Sequence, residues 1–226
     1  MAFNVGLQPL GDCKLVDLTS FRASSKLEEN LSIMCINVRI LSRNYLSLLG
    51  FLSTLKVKVK ILVICETWLN DDIIDMYKIN NYKFAYMNRN RHGGGLLVYY
   101  LEHFTCDVVP NLTGIHEGSH ESLCINLEYQ NNKKIKLYCV YRPPRNNVRN
   151  FMNYLNQLEN QGLLTDCIMI GDININTLDL NIELNRNFIN FMSQNNFYNT
   201  INHPTYLSIN ANPSLIDHIW IYLNIQ

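Results

Sequence analysis

Five short apolar runs in this chain each stop on a side chain able to hydrogen-bond, ligate or move a proton. In order, they end on Asn37, Glu66, Tyr141, Asp172 with Asn174, and Asp217. Short apolar runs bounded by polar residues read as strands buried on both faces. A sheet rim is where such a strand hands its last side chains to a ligand. The run Ile168-Met169-Ile170-Gly171, followed by Asp172-Ile173-Asn174, has this form. Residues two apart in an extended chain share a face, so Asp172 and Asn174 can address one site. Taken singly, each ending has a plain reading: Asn and Asp stop strands in Asx turns, and a Glu after a strand is ordinarily solvated. Taken together they are harder to dismiss. Carboxylates and amides converging on one rim repel and desolvate each other unless a metal or substrate compensates.

The rest of the chain places these endings. Residues 1–30 carry little periodicity and read as a poorly ordered lead-in, with one domain over 31–226. Leu31–Ile36 reads as a strand, then a helix from a Ser42 cap to about Leu55 with Leu46, Leu49, Leu52 and Leu55 along its inner face. Ile61–Cys65 is the next strand and leads into Glu66-Thr67-Trp68-Leu69. Strands follow over Tyr82–Met87, Leu96–Leu101, Phe104–Val109, Ser122–Glu128 and Ile135–Val140, the last closed by Tyr141-Arg142-Pro143-Pro144. Helices are expected over Asn147–Asn160 and Glu183–Gln194, and a last strand over Ser214–Tyr222. Hairpins mixed with helical crossovers suit neither a doubly wound sheet nor a pure β-sandwich. The expectation is an α/β fold of two packed mixed sheets with helices outside.

Composition narrows the function classes. Nineteen basic and nineteen acidic residues cancel, so any polyanion must be gripped by a local patch. No apolar run is long enough for a transmembrane helix, and the start lacks the basic and apolar regions of a secretory signal. Seven cysteines without paired spacing argue against zinc and against a disulfide framework. Cys35, Cys65, Cys124, Cys139 and Cys167 sit in apolar runs and read as buried thiols of an intracellular protein.

Chemically, the strand endings suit metal-assisted hydrolysis of a phosphodiester. Glu66, with Asn37 or Asp172, offers the hard oxygens that Mg²⁺ takes, with Mn²⁺ as a substitute. Asp172 can orient and deprotonate water, while Asn174 and the Tyr141 hydroxyl hydrogen-bond phosphate oxygens as charge builds.

The ordered set Asn37-Val38-Arg39, Glu66-Thr67-Trp68-Leu69, Gly93-Gly94-Gly95-Leu96, Tyr141-Arg142-Pro143-Pro144, Gly171-Asp172-Ile173-Asn174 and Ser214-Leu215-Ile216-Asp217-His218 resembles the endonuclease/exonuclease/phosphatase superfamily. More narrowly, it is similar to the apurinic-like endonuclease domain of non-LTR (LINE-type) retrotransposons. The resemblance implies a four-layer α/β sandwich and Mg²⁺-dependent nicking of DNA, which would place an active chain in the nucleus. It assigns Asn37 and Glu66 to the metal side, Tyr141, Arg142 and Thr205 to the phosphate, Asp172 and Asn174 to catalysis, and Asp217 to orienting a histidine. Arg91, in the glycine loop, is assigned to DNA.

The chain also departs from the family pattern. No Ser-Asp-His follows Asp217 before Gln226, and no reverse-transcriptase region is present. The expectation is therefore a domain without its last strand, one sheet edge unpaired, and activity impaired. His218 is a poor substitute, since adjacent strand residues point to opposite faces. Alternatives are an inactive nucleic-acid- or protein-binding remnant, or a phosphatase of the same superfamily.

Overall fold

A computed structural model describes residues 31–55, 58–90, 92–129, 133–209 and 211–223. The expected lead-in and Arg91 lie outside the described residues. The elements run in order β1 (Ile33–Asn37), α1 (Leu41–Thr54), β2 (Ile61–Cys65), β3 (Tyr82–Met87), β4 (Leu96–Leu101), β5 (Thr105–Val108), β6 (Gly114–His116), β7 (His120–Tyr129) and β8 (Lys133–Tyr141). They continue with α2 (Val148–Asn160), β9 (Cys167–Asp172), α3 (Glu183–Gln194), β10 (Phe197–Asn199), β11 (Tyr206–Ser208), β12 (Ala211–Ser214) and β13 (Asp217–Tyr222).

Two mixed sheets hold most of these strands. One has the order β1-β2-β4-β3, the other β10-β13-β9-β8-β7-β5, with β6 added on β7. The period-2 alternation of each strand divides its side chains between two cores. In β2, Ile61, Val63 and Cys65 enter the layer between the sheets, whereas Leu62 and Ile64 pack under α1. In β9, Ile170 faces the other sheet, and Cys167 and Met169 meet α2 and α3. Three stacked apolar layers separate helix, sheet, sheet and helices, which is the four-layer sandwich expected.

The helices match expectation in place and differ in detail. α2 starts where it should, with the Asn147 side chain accepting from the Arg149 N–H at 2.8 Å. α1 is not capped by Ser42. Its N-cap is Ile40, in the left-handed region (φ 73°), and no side chain serves it. The Ile40 and Leu41 N–H groups instead donate to the Glu66 and Thr67 carbonyls at 3.0 Å each. Its buried face carries Leu41 and Leu48, with Tyr45 and Leu52 partly covered. Leu46, expected inside, is 79% exposed. Leu52 and Leu55 pack on this core as expected, while the helix's first turns are buried through Leu41, Tyr45 and Leu48 rather than Leu46.

Candidate active site

Strand register assembles the site. Glu121 of β7 lies opposite Tyr141 of β8, Tyr141 opposite Asp172 of β9, and Asp172 opposite Asp217 of β13. All four fall in the alternation phase that faces the other sheet, so they form one row across four strands at the rim. Glycine makes the row possible at Gly171, where φ is 147° and a Cβ would lie 1.8 Å from the Val140 carbonyl oxygen. The opposite sheet supplies Asn37, in the phase of Ile33 and Cys35, and Glu66. Alternation alone would turn Glu66 toward α1, since it follows Cys65. Its left-handed backbone (φ 58°) swings it back to the rim.

The Asn37 amide joins the two sheets. Its Nδ2 donates to Glu66 Oε1 and to Asp172 Oδ2, both at 2.8 Å, while its Oδ1 accepts from the Arg39 N–H at 3.0 Å. Trp68 Nε1 donates to Glu66 Oε2 at 3.3 Å. The Asn174 N–H donates to Asp172 Oδ1 at 3.2 Å, and Thr205 Oγ1 accepts from the N–H groups of Ile216 and Asp217. Asn37, Glu66, Asp172, Asn174, Thr205 and Asp217 open onto one cavity of about 900 Å³. Tyr141 stands behind them, 6% exposed.

Charge is concentrated here. Burial, with the neighbouring Asp217 carboxylate, pushes the Asp172 pKa up to about 7, against hydrogen bonds from Asn37 and Asn174. Burial also raises Asp217, opposed by Thr205. The Tyr141 phenol is raised by burial and by Glu66, so it remains a donor. Among the described residues, no three His, Cys, Asp or Glu side chains stand together as a complete metal cage. That does not conflict with Mg²⁺, which takes one or two carboxylates and keeps water or phosphate as its other ligands. Glu66 and Asp172, held on one amide in a carboxylate-rich cleft, fit that need.

Arg142 departs from the sequence reading. It is 2% exposed and reaches no solvent-facing phosphate position. Its Nε donates to the Ile173 carbonyl at 2.7 Å, Nη1 to Asn146 and Pro143 at 2.7 and 3.3 Å, and Nη2 to Asn174 at 2.5 Å. The Asn174 amide returns a bond to the Arg142 carbonyl at 2.9 Å. Arg142 thus clamps the loop carrying Asp172 and Asn174, taking carbonyls that lie past the ends of β8 and β9, beyond the sheet ladder. His218 turns into the core, where its Nε2 meets the Ile175 carbonyl at 2.9 Å.

Sequence reasoning passed over Arg39 and Glu121. Arg39 lies two residues beyond Asn37 and lines the cavity. Glu121 is 1% exposed. Its signal was its phase, shared with Leu123, Ile125 and Leu127.

The comparisons agree with this geometry. Residues 135–226 match a family model described as "Endonuclease-reverse transcriptase". No curated protein matches the sequence. Among solved structures, the endonuclease domain of TRAS1, a telomere-specific non-LTR retrotransposon, is similar with a TM-score of 0.62 at 13% identity, covering 84% of each chain. An AP endonuclease from Archaeoglobus fulgidus gives 0.61 at 14% identity, over 85% of this chain and 87% of that one. The 3′ phosphatase NExo from Neisseria, bound to product DNA hairpin, gives 0.59 at 12% identity, over 85% and 86%. The chain thus has the endonuclease/exonuclease/phosphatase fold, and its residues 135–226 match the endonuclease-reverse transcriptase family.

Proposed function

We propose that this chain is a divalent-metal-dependent DNA endonuclease domain of the non-LTR retrotransposon type. The observation that carries the reading is the Asn37 amide, which ties Glu66 from one sheet to Asp172 from the other beside Asp217. Such a cluster is electrostatically costly unless it serves a cation and a phosphate.

In this reading Glu66 and Asp172, with the Asn37 amide between them, would hold Mg²⁺ or Mn²⁺. The ion supplies charge neutralisation at the scissile phosphate and the leaving oxygen. Asp172 takes a proton from water as the water oxygen bonds to phosphorus and the bond from phosphorus to the 3′ oxygen breaks. Protonation from solvent then leaves a 3′-hydroxyl and a 5′-phosphate. The second N–H of the Asn174 amide is free of the Arg142 bond and can reach a phosphate oxygen. Tyr141, kept protonated by burial and by the nearby Glu66 carboxylate, can donate to a phosphate oxygen. Asp217, pinned by Thr205, adds negative charge that raises the proton affinity of Asp172.

The test is nicking of supercoiled plasmid with Mg²⁺ or Mn²⁺. Wild type is expected to exceed Glu66→Ala and Asp172→Ala by at least about 100-fold. Equal nicking by all three proteins sinks the reading. A second reading, a DNA-binding domain without turnover, has one observation in its favour. His218, the histidine next to Asp217 in sequence, is turned away from it and buried against Ile175. That reading expects a gel shift by wild type and no nicks.

A further inference from the structure

Glu121, like Tyr141, lines no part of the cavity holding Asp172, and it stands at the far end of the cross-strand row. It is nonetheless fully engaged. Its Oε2 accepts from the Gly95 N–H at 2.6 Å and its Oε1 from Arg89 Nη1 at 3.0 Å. The fit leaves no room for side chains on the turn. A Cβ on Gly94 would lie 2.2 Å from Glu121 Oε1, and one on Gly95 would lie 2.3 Å from Thr67 Oγ1. Both glycines have positive φ, 67° and 89°.

The turn held this way is itself a template. The Gly95 carbonyl accepts from the Thr67 N–H at 3.3 Å and the Gly94 carbonyl from the Trp68 N–H at 2.9 Å. Those amides directly follow Glu66, in a segment where Glu66 and Trp68 both take left-handed backbone (φ 58° and 54°). A non-glycine residue persists in that region only when its surroundings over-determine it. The restraint here runs from the Glu121 carboxylate, through two peptide groups, to the segment that aims Glu66.

We propose that Glu121 is a positioning residue for Glu66: by fixing the Gly94–Gly95 turn it holds the backbone in which Glu66 faces Asn37. The proposal rests on the metal-binding reading for its functional consequence and stands without it for its structural one. Residues that orient a ligating side chain typically set metal affinity by tenfold to a hundredfold. Arg89 is the lesser partner, with a side chain 40% exposed where that of Glu121 is 2%.

The experiment compares wild type, Glu121→Ala, Glu121→Gln and Arg89→Ala without DNA, by amide hydrogen exchange and by direct titration with Mn²⁺. Glu121→Ala is expected to speed exchange of the Thr67 and Trp68 amides while those of β9 keep their protection. It should also weaken Mn²⁺ binding by about tenfold to a hundredfold. Glu121→Gln retains an acceptor for the Gly95 N–H and should recover most of both signals. Arg89→Ala should stay near wild type. The proposal is overturned if Thr67 and Trp68 exchange at the wild-type rate in Glu121→Ala, or if β9 loses protection equally. Unchanged Mn²⁺ affinity in Glu121→Ala overturns it as well. Absence of Mn²⁺ binding by wild type sinks the metal-dependent reading instead, and the exchange data still decide the role of Glu121.

Discussion

The two corners that bring the acidic residues together are held by opposite charges. At the Glu66 corner a buried anion, Glu121, takes the N–H of the adjoining turn, and the turn's carbonyls receive the Thr67 and Trp68 amides. At the Asp172 corner a buried cation, Arg142, takes the carbonyls of Ile173 and Asn174, while their N–H groups reach the Ile216 carbonyl. The difference follows from which groups the strand end leaves over. Where a strand stops, its ladder stops too, and buried peptide groups must find other partners. Orphaned donors call for a carboxylate, and orphaned acceptors call for a guanidinium with its fan of donors. Both corners also use left-handed backbone, at Glu66 and Trp68 in one and Asn174 in the other. Backbone strain and buried charge are thus concentrated where side chains must be aimed.

The comparison breaks most severely at Arg142. Lysine cannot reproduce four bonds to carbonyls in a fork, so Arg142→Lys leaves buried acceptors unpaired. A loss of about 3 kcal/mol is expected in denaturant unfolding, with nicking falling further than the folded fraction explains. If Arg142→Lys unfolds at the wild-type midpoint, the clamp is not what holds the Asp172 corner. Glu121→Gln, which keeps one acceptor, should cost less than Arg142→Lys, and the reverse order would invert the comparison.

How much of this was legible beforehand depends on how local each cause is. β2 declared itself by five apolar residues in a row, and α3 by its spacing, because burial on both faces or one stripe is written along the chain. The endings Asn37, Glu66, Tyr141, Asp172, Asn174 and Asp217 could be singled out as polar stops, and register and phase place them at one rim. Glu121 could not be read the same way, since a Glu opening a strand looks solvated until β4 and its turn close over it. Arg142 was misplaced for a related reason. Its partners lie on residues 146, 173 and 174, and no spacing within Tyr141-Arg142-Pro143-Pro144 reveals them. Local rules found the polar side chains of the rim and missed the charges that hold their backbones.

Between the corners lies His120, next to Glu121 in sequence and within the field of Arg142. Its ring is held by Ser119 and Tyr138. Burial, with His116 and Arg142 nearby, pushes its pKa down to about 3 from 6.5. The folded state therefore keeps it neutral. Its contribution to stability is complete above about pH 6.5 and is lost as pH falls from there toward 3. Each unit in that window costs about 1.4 kcal/mol per group. The acidic row works the other way, because Asp172, Asp217 and Glu121 have raised pKa values in the fold. Wild type minus His120→Gln isolates the histidine. The difference in melting temperature between the two should shift against wild type on going from pH 7 to pH 5. A difference independent of pH means that His120 is not held neutral between the clamps.

The smallest effects should separate the two corners at their helix starts. α1 begins at the Glu66 corner, where the Glu66 and Thr67 carbonyls take the Ile40 and Leu41 N–H groups, so no side chain there acts as a cap. α2 begins just past the Asp172 corner's clamp, and the Asn147 side chain caps it. Removing a side-chain cap costs about 1 kcal/mol, whereas an exposed substitution away from such a feature stays within about 0.5 kcal/mol. Ser42→Ala should therefore leave the denaturant midpoint in place, and Asn147→Ala should lower it measurably. Equal losses would mean that Ser42 caps α1 in solution. The Glu66 and Thr67 carbonyls would then be relieved of their bonds to the helix, and the Glu66 backbone would rest on the turn that Glu121 fixes, with Asn37 and Trp68 holding its carboxylate.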